Sequence, residues 1–292
     1  MNWYADFKSI VRTDVPLAPL TWFRLGGPAR YFVEPRSREE LAAVVRRLHE
    51  NNIPMFVLGG GANLLIRDQG VDGAVISLSN SVFQNVVIEG RLVRVGAGMD
   101  VLKLVLHLAK LGLAGLECQA GIPGTVGGEI RMNAGGAFGN IGSAVAEVTV
   151  MDSYGGILTR RRDDLVFEYR RSNINAKFIL EALFELTPEN PDRLAQRVKE
   201  IWMYKRNTQP LRDNSAGCIF RNPDGLSAGK LIDEVGLKGH RIGGAEISVQ
   251  HANFIIAHHG ASSADVLALM ELVRQKVREH KGITLESEVV IW

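Results

Sequence analysis

Three successive glycines, Gly59-Gly60-Gly61, run into Ala62-Asn63 directly after an apolar stretch that reads as a strand, residues 55–58. Glycine tolerates dihedrals closed to other residues and lets backbone amides crowd together, so such a turn can cradle a diphosphate. It can equally be a tight structural turn. The spacing is not the dinucleotide-binding fingerprint, and no lysine-serine pair follows as in a nucleoside-triphosphate loop. A second tract, Gly121-Ile122-Pro123-Gly124-Thr125-Val126-Gly127-Gly128, is followed by Asn133-Ala134-Gly135-Gly136. Two glycine-rich loops in one domain could hold two parts of a long cofactor, or both could be structural turns. Composition does not choose between them.

Other residues have side chains suited to chemistry. Cys218 sits in Ser215-Ala216-Gly217-Cys218-Ile219-Phe220. A thiol there could be a nucleophile, a proton donor or a core group. Free thiols titrate near about 8.5, so at neutral pH they are mostly protonated and suited to giving a proton. Cys118, beside the glycine tract, reads as a core residue. Arg170 and Arg171, between Tyr169 and Ser172, could grip a carboxylate through a guanidinium fork, or form a solvated pair. Lys205 and Arg206 close a predicted helix, where cations also complement the helix dipole. They could meet a diphosphate. Glu286 and Glu288 alternate in a predicted final strand, residues 283–291, which puts both on one face. That face could line a cleft or be a solvated edge. The seven histidines lack carboxylate or thiol partners at metal-ligand spacing, so no metal site is expected. His251, near Ser248 and Asn253, reads as a structural or binding residue.

The elements that must position these residues follow from periodicity. A helix is predicted over residues 38–52, with Leu41, Val44, Val45 and Leu48 on one stripe. Ser37 can cap it, and Glu40 stands where a capping box needs it. Asp100 caps a second helix, residues 101–110. Short strands are expected at 74–78, 92–95, 144–152 and 176–186. The tract 121–128 is too broken by glycine to be one regular element. Thr187-Pro188-Glu189-Asn190-Pro191 marks a domain boundary. Beyond it come helices at 192–204, 228–235 and 263–280, with strands at 247–249 and 254–257. Residues 1–20 read as an N-terminal lead-in segment. The pattern is α+β with a sheet in each domain, residues 21–188 and 189–292, and it does not force a doubly wound fold.

The 292 residues suffice for two ordinary domains. Apolar residues make up 46% and charged ones 23%, which excludes extensive disorder. A net charge of +2 gives no call for nucleic acid or an anionic membrane as partner. No apolar run approaches the roughly 18 residues of a membrane span, and no signal peptide is recognisable at the start. A cytoplasmic location is expected. Two cysteines make neither a disulfide framework nor a four-cysteine zinc site.

Taken in order, the motifs resemble the UDP-N-acetylenolpyruvoylglucosamine reductase family. They are Thr21-Trp22-Phe23-Arg24-Leu25-Gly26-Gly27, Leu58-Gly59-Gly60-Gly61-Ala62-Asn63-Leu64, the tract from Gly121 with Met132-Asn133-Ala134-Gly135, and Tyr169-Arg170-Arg171-Ser172. Then follow Gln209-Pro210, Ala216-Gly217-Cys218-Ile219-Phe220, Asn222-Pro223, Ala228-Gly229-Lys230-Leu231-Ile232-Asp233, Gly236-Leu237-Lys238-Gly239, His251-Ala252-Asn253-Phe254 and Leu285-Glu286-Ser287-Glu288-Val289. The resemblance covers nearly the whole chain. It points to the family's shorter class, which lacks an inserted substrate-capping region.

The resemblance implies an FAD-binding domain of the vanillyl-alcohol-oxidase type, made of two α+β subdomains, and a C-terminal substrate-binding domain. It implies FAD as cofactor, NADPH as co-substrate and a UDP sugar bearing an enolpyruvyl ether as substrate. The two glycine loops, Leu64 included, would face FAD. Arg170 and Glu288 would stabilise charge on the substrate, and the residue at 218 would protonate it. Tyr169, Lys205, Arg206, Gln209 and Asn222 would bind substrate, and the enzyme would be a monomer. The sequence departs from the family's commonest pattern at Cys218, where serine is usual, and at Glu129, where a small residue is common. Two rivals are a flavin oxidase of the same cofactor fold and a non-catalytic nucleotide-sugar binder.

Overall fold

The computed structural model describes residues 3–292. The chain forms two compact units, each assembled from separate segments. The first contains the N-terminal residues through Thr13, Tyr31–Gly60 and Asp72–Tyr204; the second contains Asp14–Arg30, Gly61–Val71 and Lys205–Trp292. The expected division into 1–20, 21–188 and 189–292 is contiguous, whereas these units are interleaved.

Strands β1 (Val11–Pro16), β2 (Pro28–Val33), β3 (Met55–Leu58) and β4 (Val71–Ser77) form one sheet in the order β1-β2-β4-β3. β3 and β4 run parallel, from Met55 opposite Ala74 to Leu58 opposite Ser77. Helix α1 (Arg38–Glu50) buries the predicted stripe, Leu41, Val44, Val45 and Leu48. Ser37 Oγ accepts the Glu40 amide at 3.1 Å, as expected. The Glu40 carboxylate does not close the box. It accepts from the Arg36 amide at 2.7 Å and guanidinium at 2.6 Å, a charge-assisted partner stronger than a neutral amide. A core of Trp3, Ile10, Val33, Phe83 and Phe178 forms with the α1 stripe.

The first unit holds a second sheet of β5 (Val86–Glu89), β6 (Leu92–Gly96), β7 (Val145–Met151), β8 (Ile157–Arg161) and β9 (Phe178–Glu185). Its order is β8-β7-β9-β6-β5, antiparallel throughout. Helix α2 (Val101–Lys110) packs its buried face into the adjoining core, capped by Asp100 Oδ1 on the Lys103 amide at 2.8 Å. The glycine tract is more regular than its composition suggests. Its last residues open a short helix, α3 (Val126–Met132). The first-turn amides of α3 need acceptors, and a neighbouring segment supplies them. Val126 donates to the Met99 carbonyl at 2.9 Å and Gly127 to Ala97 at 2.8 Å.

Helix α4 (Pro191–Thr208) outruns its predicted end. Leu194, Val198 and Ile201 lie at helical spacing in the same core as α2. That packing ties most of α4 to the first unit and puts the division after Tyr204, not near residue 188.

The second unit has a small antiparallel sheet, β10 (Arg241–Ile242), β11 (Ala245–Ile247) and β12 (Ile255–Ala257), in that order. Helices α5 (Ala228–Glu234) and α6 (Ser263–Lys281) contribute Ala228, Leu231, Val266, Leu269 and Met270 to a core shared with Phe23, Leu65 and Phe220. The long final strand expected over 283–291 does not form. Only Val290–Ile291 is a strand, paired parallel with Leu64–Leu65, and Ser287 makes one bridge to Phe220. Among the described residues no helix is long and apolar enough to cross a membrane.

Candidate active site

In the first unit the two glycine-rich segments lie against each other. A Cβ on Gly59 would stand 2.8 Å from Thr125 Oγ1, and one on Gly60 would stand 2.9 Å from Gly124 Cα. Only hydrogen side chains allow this approach. Gly59 and Gly128 are exposed, while Ile122, Gly121, Gly124 and Thr125 are half-buried. Gly127 contributes packing, since its Cβ would meet Ala97 Cβ at 2.9 Å. Glu129 is buried, and its carboxylate lies beside Gly124.

Tyr169 and Arg170 form the turn between Phe167–Glu168 and Arg171–Ser172, a two-residue ladder. Arg170 takes a left-handed conformation, φ +55°. Its guanidinium donates to the Gly135 carbonyl at 2.7 Å and lies 5.2 Å from the centroid of the exposed Tyr169 ring. Asn133 holds this turn, donating to the Glu168 carbonyl at 2.8 Å and accepting the Gly142 amide at 3.1 Å. Arg131 braces the following loop. Its guanidinium donates to the carbonyls of Ile174, Ala176 and Lys177, and burial pulls its pKa below the usual range. Arg171 instead pairs with Glu168.

In the second unit Gly61 adopts φ +64°, and a Cβ there would collide with the Leu20 carbonyl. The Trp22 amide donates to the Gly61 carbonyl at 3.0 Å. The Thr21-to-Gly27 motif is thus the packing partner of the segment that starts at Gly61. Asn63 Nδ2 donates to the Glu288 carbonyl at 3.1 Å, next to the Leu64–Leu65 ladder; Ala62 and Asn63 are half-buried.

The segment that follows Cys218 is tied to the Glu288 backbone at Ile219. The Glu288 amide donates to the Ile219 carbonyl at 2.8 Å, and the Arg221 amide donates to Glu286 at 2.9 Å. On the other side Asn253 holds Ile219 and Phe220. Cys218 is half-buried at the end of this held segment, after Gly217 at φ +74°. Glu286 and Glu288 do not share one strand face. The Glu286 side chain is 77% exposed, 3.8 Å from Arg221, whereas Glu288 is half-buried. The interruption of the strand separates their environments.

Lys205 is buried, Arg206 exposed and Gln209 half-buried; the carbonyls of Arg206 and Asn207 accept from Gln250. Asn222 Oδ1 accepts the Ala228 amide at 2.9 Å, at the start of α5. Asn253, Asn133 and Arg131 hold the site without belonging to the chemistry-bearing residues predicted from sequence. The two asparagines lie inside the family motifs, where a polar amide within an apolar stretch is the available signal. Arg131 has none. Its contacts lie more than forty residues away.

Comparison with known proteins decides what this arrangement belongs to. A family model described as "UDP-N-acetylenolpyruvoylglucosamine reductase, C-terminal domain" matches residues 209–292, and one described as "FAD binding domain" matches residues 29–160. The UDP-N-acetylenolpyruvoylglucosamine reductase of Chlamydia muridarum is 44% identical over 98% of this chain and 95% of its own length. That of Geobacter metallireducens is 40% identical over 98% and 95%. The crystal structure of the Thermus caldophilus reductase superposes with a TM-score of 0.83 at 37% identity, covering 97% of this chain and 99% of the other. The chain belongs to the UDP-N-acetylenolpyruvoylglucosamine reductase family.

The residues of the first unit fit this family's FAD. The approach of Gly59-Gly60 to Gly124-Thr125 leaves backbone where any side chain would fill the space, and the exposed Gly128 meets only Thr125 Oγ1, at 3.5 Å. Such a surface suits a phosphate-bearing cofactor read by backbone groups. The amides of Val126 and Gly127 are already taken by Met99 and Ala97, so they brace the cradle instead of facing a ligand.

Proposed function

We propose that this chain reduces UDP-N-acetyl-3-O-(1-carboxyvinyl)-glucosamine to UDP-N-acetylmuramate, a precursor of peptidoglycan, with NADPH as reductant. The carrying observation is the match to reductases of this name along 98% of the chain. FAD, when bound, would supply the hydride chemistry that links NADPH to the outer vinyl carbon of the substrate. Gly59, Gly60, Gly121, Ile122, Gly124, Thr125 and Gly128 would hold it, Gly127 would brace them, and Gly61, Ala62, Asn63 and Leu64 are proposed as further cofactor-binding residues.

The remaining work falls to side chains. Negative charge grows at the carbon beside the substrate carboxylate, and groups aimed at that charge lower the barrier. Arg170 supplies a guanidinium, held by its bond to Gly135. Glu288 is proposed to hydrogen-bond the same enol-like intermediate through its carboxyl O–H. The Cys218 thiol gives its proton to the carbon, its S–H bond breaking as the C–H bond forms, which completes the lactyl ether. The link from Glu288 to Ile219 supports this pairing of roles. Tyr169, Lys205, Arg206, Gln209 and Asn222 are proposed to bind the UDP sugar, the last while its Oδ1 also caps α5. The enzyme is proposed to be cytoplasmic, since NADPH is a reductant of the cell interior, and to be a monomer.

Anaerobic flavin absorbance tests the reading. One equivalent of NADPH should bleach the purified yellow protein, and the enolpyruvyl UDP sugar should restore the colour rapidly. A flavin that stays bleached would leave the cofactor in place and remove the substrate.

A further inference from the structure

Asn253 is 2% exposed, a polar side chain inside an apolar core. Its Nδ2 donates to the Phe220 carbonyl at 2.7 Å, and its Oδ1 accepts the Phe220 amide at 2.9 Å. Its own carbonyl accepts the Ile219 amide at 2.8 Å. One side chain thus does for Phe220 what an adjoining strand would do, which requires a donor and an acceptor on the same planar group. The opposite edge of the segment is held by residues 286–288, through the Glu288-to-Ile219 and Arg221-to-Glu286 bonds. The amides of Ile219, Phe220 and Arg221 and the carbonyls of Ile219 and Phe220 are therefore all engaged, and Cys218 stands at the end of that rail.

We infer that Asn253 is a positioning residue for protonation: it fixes the segment that begins at Cys218 and is tied to Glu288 through Ile219, and acts on the reaction only through that segment. The inference rests on Cys218 being the proton donor. A loss of register of about 1 Å is enough to slow a positioned reaction on the order of a hundredfold. Bleaching by NADPH needs neither Cys218 nor its rail and stays at its normal rate.

The test compares FAD-loaded wild type, Asn253→Ala, Cys218→Ala and the double variant by stopped flow, following bleaching by NADPH and then recolouring by the enolpyruvyl UDP sugar. Asn253→Ala should slow recolouring on the order of a hundredfold with bleaching unchanged. The double variant should be little slower than Cys218→Ala alone, because the two residues act as one unit. If Asn253→Ala does not fold, Asn253→Asp serves, since it keeps the acceptor for the Phe220 amide and replaces the donor to the Phe220 carbonyl with a second acceptor. Equal slowing of both half-reactions, unchanged recolouring, or additive effects in the double variant would overturn the assignment. Recolouring at the wild-type rate in Cys218→Ala would instead remove the proton-donor role beneath it.

Discussion

The amide of Glu288 and the carbonyl of Ile219 form a 2.8 Å hydrogen bond, which sets a carboxylate-bearing residue beside the neighbour of Cys218. Replacing Cys218 with alanine should cut turnover on the order of 10²- to 10⁴-fold, the usual contribution of a positioned general acid. Reduction of FAD by NADPH should persist. Cys218→Ser should keep far more activity, because a hydroxyl also has a proton to give. Steady-state assays of the two variants decide it, and full activity in the alanine variant would exclude the thiol.

Glu288→Gln separates chemistry from structure. The bond to Ile219 comes from the backbone amide, so it survives the change and the melting temperature should hold. The rate should fall on the order of 10²-fold through loss of the carboxyl group aimed at the growing charge. Glu286→Gln, at an exposed carboxylate, should change neither. Equal kcat in wild type and Glu288→Gln would reverse the choice of carboxylate.

Gly60→Ala puts a methyl 2.9 Å from Gly124 Cα, a backbone atom that cannot swing away. Overpacking of this kind costs about 1–3 kcal/mol, and a lower melting temperature is expected. Gly128→Ala meets only Thr125 Oγ1 at 3.5 Å and replaces a helical glycine. Its apoprotein should be as stable as wild type or slightly more so. Weaker FAD binding in a stable Gly128→Ala protein, measured by flavin fluorescence, would show that the cofactor passes there; unchanged affinity would exclude it.

Arg131→Met removes a guanidinium that serves the carbonyls of Ile174, Ala176 and Lys177. Stranding these acceptors should cost about 2–4 kcal/mol, given about 1.5–3 for a charged hydrogen bond. Urea denaturation would register it as a lower midpoint with an unchanged slope. No shift in midpoint would mean that water replaces the guanidinium.

Acid should destabilise the fold through particular carboxylates. Burial pushes the Glu117 carboxyl up, but the Gly115 amide, its own amide and Arg197 outweigh it and hold the group below its usual range. Burial likewise raises Glu246, and hydrogen bonds from His258 and Arg241 reverse the sign. A carboxylate with a depressed folded pKa stabilises above its unfolded value, about 4.3, and loses that contribution as pH falls through the folded value. Burial also lowers His251, whose neutral form favours the fold above about pH 6.5, with the contribution fading on acidification. Stability should therefore decline in steps on acidification, and Glu117→Gln with Glu246→Gln should flatten the lower step in urea melts across pH. An unaltered acid limb would show that other groups control it.

Much of the fold was legible because its causes are local. Ser37 and Asp100 announce α1 and α2, and the caps form where read. The stripe Leu41, Val44, Val45 and Leu48 predicts the face that is buried. The helical end of the glycine tract was not legible, since α3 depends on carbonyls at Ala97 and Met99 that come near only in the folded unit. The role of Asn253 likewise depends on Phe220, which lies 33 residues away in sequence.

What the sequence by itself determined is the set of chemical groups and their order: two glycine loops, Arg170, Cys218 and Glu288, in motifs dense enough to identify the family. Tertiary structure alone decided that Glu288, not Glu286, sits half-buried beside the Cys218 segment. It also decided that residues 14–30 and 61–71 join the second unit, and that α4 packs with the first through Tyr204. The physical reason is range. Caps and periodicity act within one or two turns of chain, whereas these outcomes rest on hydrogen bonds and apolar burial between residues far apart in sequence, whose partners no local pattern names.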